Sequence, residues 1–305
     1  MKRKLMLVVS ACLLCLALPA VAFAADIPAD GANGGGALQA GALQAQANKY
    51  TVTLNANGGT FDNGKSTMKL KASTVDDLAA LGFNDPSRSG YVYAGFWTKK
   101  SGGKNLWDLT LSKNITVYAH WNKIVNVSTY AKLKKNYANP KKLDSLAYKG
   151  VRITKNLKVK GSITNNGEIY IPKGVTVTIA KGGCLEGAIQ NKGTIKVKSG
   201  GAVGTTMGGD ITNYGTISVA KGGTITSQMG GEVVNKKSGT IKLAGTFNCG
   251  SFEDVWFKNT GKVTGSGKAI ILQYNKDSSK SKLVKSLKKQ LNNSKISITF
   301  TKVKD

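Results

Sequence analysis

The sequence predicts a mainly β protein, in which a small β module precedes a right-handed parallel β-helix (a solenoid) with capping helices. A short phrase recurs five times between residues 163 and 263: apolar, any residue, Asn, then Gly, then alternating β-forming residues. Its glycines are 26, 22, 24 and 22 residues apart, in the range of a solenoid repeat. Apolar and polar residues alternate after each glycine, as in strands with one buried side. The copies begin at Ile163, Ile189, Ile211, Val233 and Phe257.

Residues 1–24 are predicted to be a secretory signal peptide. A basic start at residues 2–4 precedes an apolar run at 5–21 and a small-x-small cleavage site at 22–24. The apolar run is interrupted by a proline and is short for a membrane span of about 20 residues. Lipidation at Cys12 is the alternative. We therefore expect a secreted, extracellular protein with no transmembrane segment after cleavage, released or held at a surface by non-covalent contacts.

An ordered module is predicted at residues 48–122, after a disordered linker at 25–47. The linker is rich in Ala, Gly and Gln and cannot bury a core. The module begins with an alternating strand at 50–54, and Thr74 has the pattern of a helix cap. Two aromatic strands follow, at 90–97 and 115–121.

Six segments of this module carry the pattern of a known family. They are Tyr50 to Thr60, Pro86 to Tyr91, Ala94-Gly95-Phe96, Gly102-Gly103, Trp107-Asp108 and Val117 to Trp121. In these segments the module resembles the internalin B-repeat, also called the Listeria–Bacteroides repeat, over a full repeat length. The resemblance implies a small β-grasp-like module of secreted and surface-exposed bacterial proteins, with no catalytic residues. The order Phe96-Trp97 and the presence of His120 depart from the usual pattern.

The solenoid is predicted at residues 123–305, with a cap at each end. An open end would expose unpaired strand edges, so we expect a helix at 129–139 to cover the first turn and a helix and strand at 280–303 to cover the last. The asparagines of the repeat are expected to stack as a structural ladder at one corner, each side chain satisfying the backbone of the next turn. These are Asn165, Asn191, Asn213, Asn235 and Asn259.

Two cysteines remain after signal cleavage, Cys184 and Cys249. They are about three repeats apart, and turns of a solenoid stack at the strand spacing of about 4.8 Å, so the two should be about 14 Å apart. A disulfide needs Cα atoms within about 7 Å. We therefore predict two unpaired, mostly buried thiols.

The positive charge is concentrated in the solenoid. Residues 123–305 carry 32 Lys and Arg against 9 Asp and Glu, a net charge of +23 within the chain's +28. Almost all of these cations are lysines, whereas arginine is the usual reader of base edges and planar anions. This favours an anionic cell-wall polymer or acidic glycan as partner over specific nucleic acid; non-specific nucleic-acid binding and simple solubility are the alternatives. The candidate polymer-binding lysines are Lys196, Lys198, Lys242, Lys285, Lys288 and Lys289.

Few residues suggest catalysis. His120 is the single histidine, with no second His and no Cys nearby, so we predict no metal and no cofactor. Asp210 and Glu232 occupy the same repeat position and are expected roughly 5 Å apart, the carboxylate separation of retaining glycosidases. A polysaccharide lyase or glycoside hydrolase using this pair is the alternative function. The predicted function is a non-catalytic, adhesin-like surface protein that binds an anionic polymer.

Overall fold

The computed structural model describes a small sheet module followed by a β-solenoid. The described residues are 50–137, 149–205, 209–228, 230–274 and 279–303, without the side chains of Asn165 and Asn166. The predicted signal peptide (1–24), the predicted linker (25–47) and residues 138–139 of the predicted capping helix lie outside them. The mainly β class predicted from the sequence is confirmed.

The module is a four-stranded mixed sheet with one short helix beside it. It contains β1 (Tyr50–Asn55), β2 (Thr67–Ala72), α1 (Val75–Ala80), β3 (Tyr91–Trp97), a 3-10 helix (Leu106–Asp108) and β4 (Ile115–Lys123). The strand order is β2-β1-β4-β3, with antiparallel outer pairs and a parallel central pair, which is a β-grasp-like arrangement. The helix begins at the predicted cap: Asp77 N–H donates to Thr74 Oγ1 at 3.2 Å, and Thr74 N–H donates to the Asp77 carboxylate at 2.9 Å.

The Asn-Gly-Gly turn of the module is held by a tryptophan from β4. The indole N–H of Trp121 donates to the carbonyls of Ala56 at 3.0 Å and Asn57 at 3.1 Å. Gly59 lies so close to this ring that a Cβ there would be 2.5 Å from Trp121 Cζ2. Glycine is therefore required at this position by the close approach of the indole.

The solenoid has about six turns and a helix at each end. Its helices are α2 (Tyr130–Tyr137) and α3 (Lys280–Leu291). Its strands are β5 (Val125–Val127), β6 (Gly150–Ile153), β7 (Leu157–Val159), β8 (Ser162–Ile171), β9 (Thr176–Ile179), β10 (Cys184–Asn191), β11 (Thr194–Val197), β12 (Ala202–Gly204), β13 (Ile211–Asn213), β14 (Thr216–Val219), β15 (Thr224–Ser227), β16 (Val233–Asn235), β17 (Thr240–Leu243), β18 (Thr246–Ser251), β19 (Phe257–Asn259), β20 (Lys262–Thr264), β21 (Lys268–Gln273) and β22 (Ser297–Lys302).

These strands form three parallel ladders, which we call face 1, face 2 and face 3. The long strands β8 and β10 bend from face 3 into face 1 and pair in both ladders. Face 1 contains β5, β6, the second halves of β8 and β10, then β13, β16 and β19. Face 2 contains β7, β9, β11, β14, β17 and β20. Face 3 contains the first halves of β8 and β10, then β12, β15, β18, β21 and β22.

The interior is filled by aliphatic side chains that stack in register from turn to turn. On face 2, Ile195 is directly beside Ile217, and both are fully buried. Their neighbours Lys196 and Ser218 point outward. Each fully buried Ile, Val or Leu contributes about 1.5–3 kcal/mol relative to exposure, so the core of the column stabilises the stack along its whole length.

Both ends of the column are covered. At the first turns α2 buries Leu133 and Tyr137 against the neighbouring strands, and the Tyr137 hydroxyl donates to the Gly167 carbonyl at 2.8 Å. At the last turn α3 buries Leu283 and Leu287, and β22 pairs with β21. The predicted capping helices are thus confirmed. None of the described helices has the length and apolar composition that a bilayer crossing requires.

The module is joined to the solenoid by a single residue between strands. Ile124 separates β4 from β5, and its N–H donates to the Gly90 carbonyl at 2.9 Å. Gly150, at the start of β6, faces the module so closely that a Cβ there would be 2.3 Å from Val92 Cγ2. The first turns of the solenoid therefore pack directly against β3.

The two cysteines are unpaired, as predicted. Cys184 is half-buried on β10, and Cys249 is buried on β18. Both lie on face 3, where β12 and β15 separate their strands. Three inter-strand steps of about 4.8 Å are too long for a disulfide.

Candidate functional site

A continuous ladder of asparagine amides follows the corner between face 1 and face 2. Nδ2 of each residue donates to Oδ1 of the next: Asn191 to Asn213 at 2.7 Å, Asn213 to Asn235 at 2.8 Å, and Asn235 to Asn259 at 2.8 Å. Backbone carbonyls of the same corner share these donors. The ladder ends on α3, where Asn259 Nδ2 donates to the Gln290 carbonyl at 2.8 Å. These contacts reinforce the corner and use the amide groups within the protein.

Asn165 is not in register with this ladder, although its sequence phrase resembles the others. The backbone pairing places Ile171 beside Asn191, and it places Ile163 beside Leu185 on face 3. The prediction for Asn165 was wrong because the first copy of the phrase spans the bend of β8. It therefore occupies the corner between face 3 and face 1.

The two acids of the alternative catalytic pair lie in neighbouring turns, and each makes its own contact. Asp210 and Glu232 directly precede β13 and β16, which pair in register. A carboxylate oxygen of Asp210 accepts the backbone N–H of Glu232 at 2.8 Å. The Glu232 carboxylate forms an ion pair with Lys258 Nζ at 2.7 Å. In this arrangement both acids support the start of a face 1 strand.

The six predicted binding lysines lie in two places, three at face 2 and three on α3. Lys196 and Lys242 project from face 2 and Lys198 lies at its edge, and all three are exposed. An open, shallow groove of about 780 Å³ lies over the first three strands of face 2, and Lys196 and Lys198 line part of it. The other three predicted lysines, Lys285, Lys288 and Lys289, are exposed on α3.

Sequence reasoning missed lysines that belong with the face 2 group. Lys158 and Lys181 line the same groove as Lys196. The missed signal is the triplet Leu157-Lys158-Val159, which has the apolar-Lys-apolar pattern of the strand around Lys196. It was overlooked because the early turns do not carry the repeat phrase in the register of the later ones.

An aromatic cluster beside face 3 was also missed. The rings of Trp256 and Tyr274 stack with centroids 5.4 Å apart, and Phe252 meets Trp256 edge-on at 5.0 Å. Gly250 permits this packing, because a Cβ there would be 2.1 Å from Trp256 Cε3. Phe252 is 38% exposed, so one side of the cluster faces solvent. Phe252 and Trp256 are close in sequence, but Tyr274 joins them from just after the end of β21, so the cluster appears only when β18 and β21 pair.

His120 is engaged within the module. Its Nε2 contacts the Lys99 carbonyl at 2.9 Å, and its ring stacks on Trp97 at 5.0 Å. Across the described ranges, no group of three or more His, Cys, Asp or Glu residues is arranged to hold a metal ion.

Comparison with known proteins adds one finding. Residues 50–120 match the family model of the Listeria-Bacteroides repeat domain, which confirms the resemblance predicted from the sequence. Neither the curated proteins nor the solved structures contain a significant match to the chain. A repeat of this family joined to a β-solenoid fits a surface or adhesin-like protein. The chain thus carries a Listeria-Bacteroides repeat domain at residues 50–120, followed by a β-solenoid.

Proposed function

We propose that this protein is a secreted, non-catalytic, adhesin-like surface protein that binds an anionic wall polymer or acidic glycan through the lysines of its solenoid. The family of the N-terminal domain and the solenoid fold support the surface role. The ligand class is supported by the exposed lysines of face 2, which have no carboxylate partner among the described residues.

The contrast between Lys258 and the lysines of face 2 supports this ligand class. Lys258, on face 1, is held by Glu232 in an ion pair. Within the described part of the chain, Lys196, Lys198 and Lys242 have no such carboxylate partner. A polyanion carries condensed cations, and ammonium groups that neutralise its charges release these ions, which drives binding.

The scaffold adds to this attraction by holding the lysines at set positions. Lys196 and Lys242 stand on strands whose inward neighbours are fully or almost fully buried. The backbone of face 2 is paired on both sides through successive turns. A surface that is ordered before binding loses less conformational freedom when a ligand binds, so modest contacts suffice for attachment.

Binding across ionic strengths tests the proposal. Purified mature protein would be titrated with poly(glycerol phosphate), with acidic polysaccharides and, as the uncharged control, with dextran. Binding of at least one polyanion should weaken steeply between about 50 and 300 mM salt, with no binding to dextran. Failure to bind any polyanion, or binding that does not change with salt, would overturn it. Equal or tighter binding to duplex DNA of matched charge would favour the nucleic-acid alternative.

Secretion is tested separately. Cleavage of the signal peptide would leave Ala25 as the first residue, which mass spectrometry of the released protein can establish. Recovery of the protein only inside the cell, with Met1 retained, would contradict secretion without bearing on polymer binding.

A further inference from the structure

We propose that face 2 binds one extended acidic polysaccharide along the solenoid axis, and that it selects chains with one acidic group per two sugars. This inference rests on the proposed function and adds the binding face, the direction of the ligand and its charge period. Three observations carry it: the order of side chains on face 2, the distribution of acids and the groove across its first turns.

Lysine and hydroxyl side chains alternate along one column of the outer surface of face 2. One column of outward positions runs in register through all six of its strands. In the order of the turns, its residues are Lys158, Thr178, Lys196, Ser218, Lys242 and Thr264. Lysine therefore occupies every second turn, and a hydroxyl residue occupies each turn between.

The alternation has a physical reason in the fold. Side chains in neighbouring turns stand about 4.8 Å apart, and like charges directly opposite each other destabilise a sheet. A lysine in every turn would repel its neighbours, whereas a lysine in every second turn places the charges about 10 Å apart. The column therefore combines a stable sheet with a regular line of positive charge.

Among the described residues, no acidic side chain lies on this face. The described carboxylates of the solenoid lie on face 1, on face 3 or in the segments that lead into those faces. They are Glu168, Glu186, Asp210, Glu232, Glu253 and Asp254. Face 2 and its described edges carry lysine as their charged residue, which leaves the line of positive charge open to a ligand.

An open, shallow groove lies over the first turns of this face. It is lined by Lys158, Thr178 and Lys196 of the alternating column, and also by Lys181 and Lys198 at the edge. The groove therefore follows three consecutive turns of the column. A chain lying in it would run parallel to the axis and meet lysine, hydroxyl and lysine in turn.

The spacing between lysines in the column determines which spacing of acidic groups a bound polymer should have. A pyranose ring in an extended polysaccharide is about as long as the strand spacing of about 4.8 Å. A chain with one carboxylate per disaccharide would therefore place its acids on successive lysines and its neutral sugars against Thr178 and Ser218. A polyphosphodiester such as poly(glycerol phosphate) has a different charge spacing, and it would drift out of register along the column.

The sharpest test moves one lysine by one turn without changing the composition. Lys196→Ser combined with Ser218→Lys keeps the net charge and places the moved lysine next to Lys242. We expect this exchange to weaken binding of hyaluronan octasaccharide, which has one carboxylate per disaccharide, by roughly five-fold. Binding of polygalacturonate, which has one carboxylate per sugar, should stay within about two-fold. Every sugar of this chain is charged, so a carboxylate lies near each lysine whichever turn the lysine occupies. Isothermal titration at one ionic strength measures both.

Two further variants distinguish the effect of the face 2 lysines on binding from the effect of the total charge. Removal of the column's lysines (Lys158→Gln, Lys196→Gln and Lys242→Gln) should weaken hyaluronan binding at least about five-fold. The matched control in the N-terminal module (Lys65→Gln, Lys69→Gln and Lys71→Gln) should leave it within about two-fold. All six residues are exposed, and circular dichroism checks that each variant is folded.

The outcomes are distinguishable. Hyaluronan binding that survives the exchange, or that falls equally in both triple variants, would overturn the inference and leave the proposed function in place. A wild-type preference for poly(glycerol phosphate) over hyaluronan, unaffected by the exchange, would do the same. A wild-type protein that binds no polyanion would remove the proposed function and this inference together.

Discussion

The side-chain amide of Asn213 donates to Oδ1 of Asn235 in the next turn at 2.8 Å, and both residues are fully buried. Each accepts and donates within one column, so the polar corner is satisfied only when the turns are in register. A shift of one residue would set an amide against an aliphatic side chain, and the cost of an unsatisfied buried group opposes it. The ladder therefore specifies the register of the stack as well as stabilising it.

Removal of one asparagine from the ladder should destabilise the solenoid. Asn213→Ala deletes an acceptor for Asn191 and a donor to Asn235, leaving buried polar groups without partners. We expect a loss of about 2–3 kcal/mol in the free energy of unfolding, measured by urea denaturation. Asn248→Ala, at a half-buried outward position of β18, is the control and should change stability by less than about 0.5 kcal/mol. Equal effects of the two substitutions would contradict a special role for the ladder.

The contact between Gly150 and Val92 should couple the module to the solenoid. Gly150→Ala places a methyl group where Val92 Cγ2 and Ile124 Cγ1 already lie, 2.3 and 2.9 Å from the new Cβ. We expect it to cost about 1–3 kcal/mol through overpacking. Adding Val92→Ala removes one of the clashing groups, so the double variant should be more stable than the sum of the single changes predicts, by about 1 kcal/mol. Strict additivity in the double-mutant cycle would show that the two residues do not interact.

The thiols should be unreactive in the folded protein. Burial raises the pKa of Cys184 and of Cys249 to about 12, and nearby Glu186 adds to the shift for Cys184. At pH 8 both should react with Ellman's reagent far more slowly than the unfolded chain, because the thiolate is the nucleophile. Prompt reaction of two thiols in the native state would contradict the buried placement of Cys249.

The raised pKa of Cys249 also makes the free energy of unfolding depend on pH in the alkaline range. An unfolded thiol ionises near pH 8.5, whereas the folded Cys249 thiol keeps its proton to about pH 12. Below pH 8 both states are protonated and the thiol has no effect; between pH 9 and 12 the unfolded state loses its proton first, so stability falls as pH rises. Cys249→Ala should therefore show a shallower decline in unfolding free energy between pH 9 and 11 than the wild type. Parallel pH profiles would exclude this contribution.

Asp210 and Glu232 should act as structural residues. Asp210→Ala removes the acceptor of the Glu232 N–H and should cost about 0.5–1.5 kcal/mol, whereas Asp210→Asn keeps an acceptor oxygen and should cost less. Neither change should alter polymer binding, because both residues lie away from face 2. Release of reducing ends or unsaturated sugars by the wild type, abolished in Asp210→Asn and Glu232→Gln, would instead support the glycosidase or lyase alternative.

Local patterns were enough to predict the architecture. The alternation of Ile195, Lys196 and Val197 indicates a strand with one buried side, and the recurrence of the phrase indicates stacking. The Asn-Gly-Gly turn, the cap at Thr74 and the aromatic strands of the module are likewise short-range signals, and they carry the family resemblance. Each of these features is read from neighbouring residues, so a single sequence contains it.

The grouping of lysines on face 2 could be identified only from the tertiary structure. Two residues, 160 and 161, connect β7 to β8, whereas four, 180–183, connect β9 to β10, so sequence spacing does not give the register between turns. For this reason Asn165 was placed in the wrong column and Lys158 was overlooked as a partner of Lys196. The sequence by itself determined that strands would stack with lysines outside, because burial and alternation are local properties of the chain. Only the pairing between turns decided which lysines share a face and at what interval, because that register is set by hydrogen bonds and packing between residues distant in sequence.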